Sequence, residues 1–247
     1  MKNPPILSVQ QMDMTFPDSN GGLHAVENIS FEVCPQEFVC VVGPSGCGKS
    51  TLLRVLAGLL TPTRGQVNFA GGIPRIGMVF QQSNLMPWRS VLENITLPLE
   101  LEGMDSAQAR TKAQDLIDLV GLEGFEDSWP RDLSGGMAQR VALARGLVHD
   151  PDILLLDEPF ASLDALTRER MGTELLRIWH ARQKTVIMFT HSISEALFLA
   201  DRVLVLTQRP GSTKLNMEVG LPRPRAEEMR YTSQFGEMAK QLKDAIE

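Results

Sequence analysis

Residues 37–51 read EFVCVVGPSGCGKST. Glu37 to Val42 is a short continuous apolar run with the length of a buried strand. It runs directly into Gly43-x-x-x-x-Gly48-Lys49-Ser50, and Leu52 to Leu60 beyond the loop has the length and apolar content of a helix. Strand, glycine loop and helix together are the context that a phosphate-binding loop requires. The glycines let successive backbone N–H groups curl around one anion, and the helix N-terminus adds its partial positive charge. On this reading Gly43, Pro44, Ser45, Gly46, Cys47, Gly48, Lys49, Ser50 and Thr51 form the cradle for a nucleotide's phosphates. Lys49 reaches the β and γ phosphates and the Ser50 hydroxyl sits on Mg²⁺. A plain glycine turn capping a helix is the alternative, and the matching context makes it the poorer account.

Working outward, Leu7 to Met14 and Ile29 to Val33 alternate as strands, with a polar turn at Asp18 to Gly22 between them. Gln66 to Ala70 and Arg75 to Phe80 read as further short strands. Helical character takes over from Val91 to about Val120, and Met137 to Leu147 is the next helix. Ile153 to Leu156 is a strand, Leu166 to Arg182 a long amphipathic helix and Thr185 to Phe189 a strand. Ser194 to Ala200 is a helix, Arg202 to Leu206 a last strand, and Glu227 to Ile246 a charged helical end. Strand–helix alternation of this kind predicts an α/β fold, a mostly parallel sheet with flanking helices. The expected organisation is one domain over 1–247. Residues 1–84 and 150–215 form the core, with an antiparallel β subdomain; 85–149 is an inserted helical subdomain and 216–247 a C-terminal tail.

The apolar strand ending at Leu156 delivers Asp157 to the edge where open α/β sheets bind ligands. There Asp157 holds Mg²⁺ through water, and the adjacent Glu158 orients or deprotonates an attacking water. A second anion site follows from Leu133-Ser134-Gly135-Gly136-Met137, where a serine hydroxyl and glycine N–H groups again precede a helix. Two anion cradles in one domain suggest that they serve different nucleotides.

Leu133 to Met137, with Gln139 and Arg140, resembles the LSGGQ signature of ATP-binding cassette (ABC) ATPases, methionine standing in the fifth place. The resemblance covers nearly the whole chain and implies a P-loop NTPase core. It implies that Ser134, Gly135 and Gly136 of one subunit cover the γ-phosphate held by the phosphate loop of another, a second copy or a homologous ATPase subunit. Phe16 falls where the family sets an aromatic ring against adenine. Gln81 matches the glutamine that senses Mg²⁺ and the attacking water, Ala161 to Asp164 the loop crossing the dimer interface, and His191 the switch histidine at the γ-phosphate. His24, His149 and His180 have no such setting and read as surface or packing residues.

Three further stretches are similar to the importer ATPases for nitrate, taurine, alkanesulfonates and bicarbonate: Asn84 to Trp88 with Val91 to Ile95, Asp164 to Arg170, and Glu195 to Arg202. That likeness implies an ATP-hydrolysing subunit energising import of a small anion such as a sulfonate or nitrate. Its partners would be integral membrane permease subunits and, indirectly, a solute-binding protein. Its place would be the cytoplasmic face of a bacterial inner membrane, held peripherally. Pro87 and Trp88 are candidates for the surface that meets the permease.

Composition narrows the rivals. A net charge of -6 offers no global basic field for nucleic acid. ABC ATPases that act on DNA or ribosomes tend to carry paired cassettes, coiled coils or basic extensions, none of which is read here. Three cysteines without a CxxC spacing give neither a disulfide framework nor a zinc site. No uncharged apolar run reaches the roughly 20 residues of a membrane helix, so the membrane is expected to be reached only through a partner. A metabolic kinase would explain the phosphate loop but not Leu133 to Met137, the Ala161 to Asp164 loop or His191.

Overall fold

The computed structural model describes residues 4–17 and 22–247. In chain order the elements are β1 (Leu7–Phe16), β2 (Leu23–Val33), β3 (Phe38–Val42), α1 (Lys49–Leu56), β4 (Arg64–Phe69), β5 (Ile76–Val79), α2 (Val91–Leu101) and α3 (Ser106–Leu119). There follow α4 (Gly135–Leu147), β6 (Ile153–Asp157), α5 (Ala165–Arg182), β7 (Thr185–Thr190), α6 (Ile193–Leu199), β8 (Arg202–Leu206), β9 (Thr213–Glu218) and α7 (Ser233–Ile246). Of the turn expected over 18–22, only Gly22 lies within the described residues. Two compact units result, Met1–Pro74 with Thr185–Glu247, and Arg75–Lys184.

In the first unit β1 lies between β2 and β4 in an antiparallel sheet, with Leu7 opposite Val33 and Phe69. The alternation of β1 is broken once. Leu7 and Val9 point inward, then Met12 and Met14 do, because the register shifts around Gln11, whose φ is 46°. An extra residue of this kind reverses which side chains face the core. Gly65 sits opposite at φ 73°, where a Cβ would run into the carbonyl oxygens of Gln10 and Gln11.

The second sheet of this unit has the order β7-β3-β8-β9. β3 pairs in parallel with β7 and β8, while β9 runs antiparallel to β8. Every residue of β3 and β7 is buried, which is why FVCVV and TVIMFT are continuous rather than alternating patterns. Arg202 is therefore not the start of the last strand. β9 follows it as an edge strand, and its apolar signal is weak because Met217 is its one buried residue.

In the second unit β5 pairs in parallel with β6, Ile76 opposite Ile153. The helical stretch from Val91 divides into α2 and α3. Gly103 at φ 77° turns the chain, and the Asp105 carboxylate caps α3 by accepting from the N–H groups of Ala107 and Gln108. Ser90 and Glu93 close a reciprocal capping box on α2. The expected 85–149 block thus packs within one unit together with β5, β6 and α5. At the chain's end a 3₁₀ turn, Glu227–Tyr231, precedes α7, so the helix begins later than the charge pattern suggests.

Candidate active site

The phosphate loop leaves β3 at Val42 and enters α1 at Lys49, three residues earlier than the apolar run alone indicates. Gly48 occupies φ 102°, and a Cβ there would lie 2.5 Å from Val26 Cγ1 and 2.7 Å from the Ala25 oxygen. No other residue type fits that position without displacing backbone. Lys49 is only 7% exposed, and its ammonium donates to the Gly43 carbonyl at 2.9 Å and the Pro44 carbonyl at 3.1 Å. The side chain therefore lies back along its own loop. α1 has neither an acidic residue in its first turn nor a side-chain cap, and its first i→i−4 bond runs from Leu52 N to the Gly48 carbonyl. N–H groups at such a terminus have no partner within the helix and favour an anion. Within the loop Gly43 and Cys47 are buried, while Ser45, Gly46 and Ser50 are exposed; Pro44 and Thr51 are half-buried.

Strand register sets His191 beside this loop. Val42 pairs with Thr190, so Gly43 and His191 emerge at the same carboxyl edge, one strand apart. His191 is exposed between β7 and α6. Phe16 is half-buried at the end of β1, opposite Leu23.

The second unit repeats the device. Val79 pairs with Leu156, so Gln81 and the Asp157–Glu158 pair leave adjacent strands in the same direction. Glu158 is half-buried at φ 45°. A non-glycine residue held in that region costs on the order of 1–3 kcal/mol, and such residues concentrate at functional sites. Gln81 is exposed. Ser134 is the N-cap of α4, its Oγ accepting from Met137 N at 3.3 Å, and with Gly135 it is exposed at that terminus; Gly136 is half-buried. Asp164 caps α5 through Thr167 N at 3.0 Å, and hydrogen bonds from the Thr167 side chain and then its backbone hold the carboxyl below the usual range.

Three polar residues to which sequence reading gave no supporting role hold the segment around Gln81. Gln139, 3% exposed, donates to the Phe80 carbonyl at 3.1 Å. Arg145 donates to the Ser83 carbonyl at 2.7 Å and the Asn84 carbonyl at 2.9 Å. Asn94 is fully buried; it accepts from Met86 N at 2.7 Å and donates to the Arg89 and Ser90 carbonyls at 3.0 Å. Gln139 and Asn94 are buried through these tertiary hydrogen bonds, which no local sequence pattern signals. Their effect is to fix 80–90 on α2 and α4 while leaving Trp88 68% exposed.

The donors of each unit suit part of a magnesium nucleotide. In the first, Lys49 and the N-terminus of α1 suit phosphate and Ser50 offers a hydroxyl. In the second, Gln81 and Asp157 offer oxygens for a hard cation. Among the described residues no group of three His, Cys, Asp or Glu side chains gathers as a metal cage. One carboxylate plus substrate phosphates is the usual lighter provision for Mg²⁺.

The family model described as ABC transporter matches residues 26–161. An uncharacterised ABC transporter ATP-binding protein of Methanocaldococcus jannaschii is 51% identical over 89% of this chain and 84% of its own length. The nitrate import ATP-binding protein of Synechocystis sp. is 45% identical, over 87% and 83% respectively. A dimeric ATP-binding cassette in a post-hydrolysis state, bound to ADP and Pi, superposes with a TM-score of 0.75 at 31% identity, covering 87% of this chain and all of that one. With two glycine cradles, a carboxylate pair and a histidine each emerging at a strand or helix end as described, the chain belongs to the ABC transporter family, as one of its ATP-binding subunits.

Proposed function

We propose that this chain hydrolyses ATP to energise import of a small anion such as nitrate or a sulfonate, with two copies closing on each other around the nucleotide. The observation that carries the reading is the exposed Ser134–Gly135 terminus of α4, a second anion cradle in a chain that already has one. Lys49 and the loop N–H groups bind the β and γ phosphates, and Phe16 lies against the adenine. Ser50, Gln81 and Asp157 would hold Mg²⁺, which would neutralise charge on the phosphates. Glu158 takes the proton of the attacking water and His191 contacts the γ-phosphate. Ser134, Gly135 and Gly136 of the second copy supply donors to that same phosphate. The subdivision into a core at 1–84 and 150–215, a helical subdomain at 85–149 and a tail at 216–247 belongs to this reading. On this reading permease subunits provide the pathway and the chain works at their cytoplasmic face; no helix among the described residues is long and apolar enough to cross a membrane.

Ser134→Arg tests the composite site. The separate chain should bind ATP as before, because its own phosphate loop is untouched. Turnover should fall by about 10²-fold, the scale for losing donors to developing charge. Loss of ATP binding in a titration, or unaltered turnover, would contradict the second cradle. For the membrane partner, Trp88 is the exposed aromatic on the segment anchored by Asn94. Trp88→Ala should leave ATP binding intact and weaken co-purification with the permease by about tenfold or more, as for a central aromatic anchor. Undiminished co-purification would remove Trp88 from that surface.

A further inference from the structure

The segment after β9 carries three arginines, Arg223, Arg225 and Arg230, and all three turn onto α6. α6 has seven residues, well short of the ~12–15 at which a separate helix becomes even marginally stable. The carbonyls of Leu197, Phe198 and Leu199 at its end have no partner within the helix. Arg225 donates one terminal nitrogen to the Leu197 carbonyl at 2.8 Å and the Phe198 carbonyl at 3.0 Å. Arg223 donates to the Leu199 carbonyl at 2.7 Å and pairs with Asp201 at 2.7 Å. Positive charge at a helix C-terminus is also the sign its dipole favours. Arg230 reaches the other end, donating to Ser194 Oγ at 2.7 Å while its guanidinium lies 3.9 Å from the centre of the Phe198 ring.

The start of α6 is also tied to β7 around His191. Thr190 Oγ1 donates to the Glu195 carboxylate at 2.7 Å and accepts from Ser192 N at 3.0 Å. Ser192 Oγ in turn accepts from Glu195 N at 3.3 Å. His191 is thus held between a fully buried strand and a helix that cannot hold itself. Arg225 is 8% exposed; burial, then Arg223, pushes its pKa down to about 10, so it remains charged at neutral pH. A buried cation is expensive unless it is held in place, and here two helix carbonyls hold it.

We propose that Arg223, Arg225 and Arg230 are positioning residues for hydrolysis, acting through α6 to fix His191 where it meets the γ-phosphate. This rests on the role given to His191 above. It gives the C-terminal segment a task in the ATPase cycle, and it predicts that damage there slows turnover without loosening ATP.

The test uses the full-length chain with Arg230→Ala, Arg230→Lys and Arg225→Met, each also combined with His191→Ala. Arg230 is half-buried, so its variants keep the test open if Arg225→Met does not fold. Arg230→Ala should lower kcat by about tenfold or more, since small misplacements of a reacting group are costly, with KM for ATP changed less than twofold. Arg230→Lys should restore much of kcat, because a lysine can still reach Ser194 and the Phe198 ring. Combined with His191→Ala, Arg230→Ala should add no further loss to the residual turnover, as expected of groups acting as a unit. With four histidines in the chain, proton NMR can follow the His191 ring, identified by its disappearance in His191→Ala. That resonance should move in Arg230→Ala and return in Arg230→Lys. An unmoved resonance with unchanged kcat, a KM that rises in step, or a full extra loss on an impaired His191→Ala background would each overturn the proposal alone. Wild-type turnover by His191→Ala would overturn the role of His191 first, and this proposal with it.

Discussion

Glu158→Gln should bind ATP, lose about 10²–10⁴-fold in turnover, the usual contribution of a general base, and accumulate as an ATP-bound dimer. The substitution keeps the side chain's size and removes its charge and its ability to take a proton. The backbone demand at φ 45° is one that glutamine meets as this chain already shows, since Gln11 and Gln183 occupy φ 46° and 51°. The local fold at the end of β6 should therefore persist. ATP affinity should persist too, because the groups assigned to grip phosphate belong to the loop after β3. Closing would be unimpaired while the step that releases it is blocked. Phosphate release at saturating ATP and size-exclusion chromatography with ATP together read the outcome. Turnover within about threefold of the unaltered chain would remove Glu158 from the role.

Lys49→Ala has the second-largest expected effect, and on binding instead of chemistry. The ammonium is nearly buried and hydrogen-bonded to Gly43 and Pro44, so the loop is shaped around it. Hydrogen bonds from a charged group contribute about 1.5–3 kcal/mol, which corresponds to roughly 10- to 100-fold in ATP affinity. The alanine also leaves two carbonyls without that donor, so the loop itself is expected to loosen. Lys49→Met separates these effects, since it fills the stem's volume without the charge. Both variants should lose affinity in an ATP titration, with thermal stability falling more for alanine. Unchanged affinity in either would contradict the phosphate-loop assignment.

How much of this was legible in the sequence varied with the physics involved. Continuous buried strands such as FVCVV and TVIMFT announce themselves, and so does a glycine loop between a strand and a helix. The start of α1 was misread because Lys49, Ser50 and Thr51 are polar for the sake of phosphate, yet take helical conformation. β9 escaped because an edge strand with a single buried residue has almost no apolar pattern. The phase change in β1 at Gln11 depends on Gly65, over fifty residues away, and no local window contains both. Gln81, Asp157, Glu158, His191 and Ser134 are proposed from their order along the chain. What the structure adds is register: Val42 beside Thr190, and Val79 beside Leu156, bring each set to a common strand edge. The supporting roles of buried polar groups were illegible. Asn94, Gln139 and Arg225 belong to types that usually face water, and only tertiary hydrogen bonding explains their burial.

The central claim is that each phosphate loop is half of a site, completed by Ser134, Gly135 and Gly136 of another copy. Turnover per chain, measured at saturating ATP across a wide range of chain concentration, tests it most directly. Specific activity should climb with concentration until dimers saturate, and the Ser134→Arg chain should stay low throughout. Specific activity that remains constant down to concentrations where the chain sediments as a monomer would contradict the account, because one copy would then hold everything hydrolysis requires.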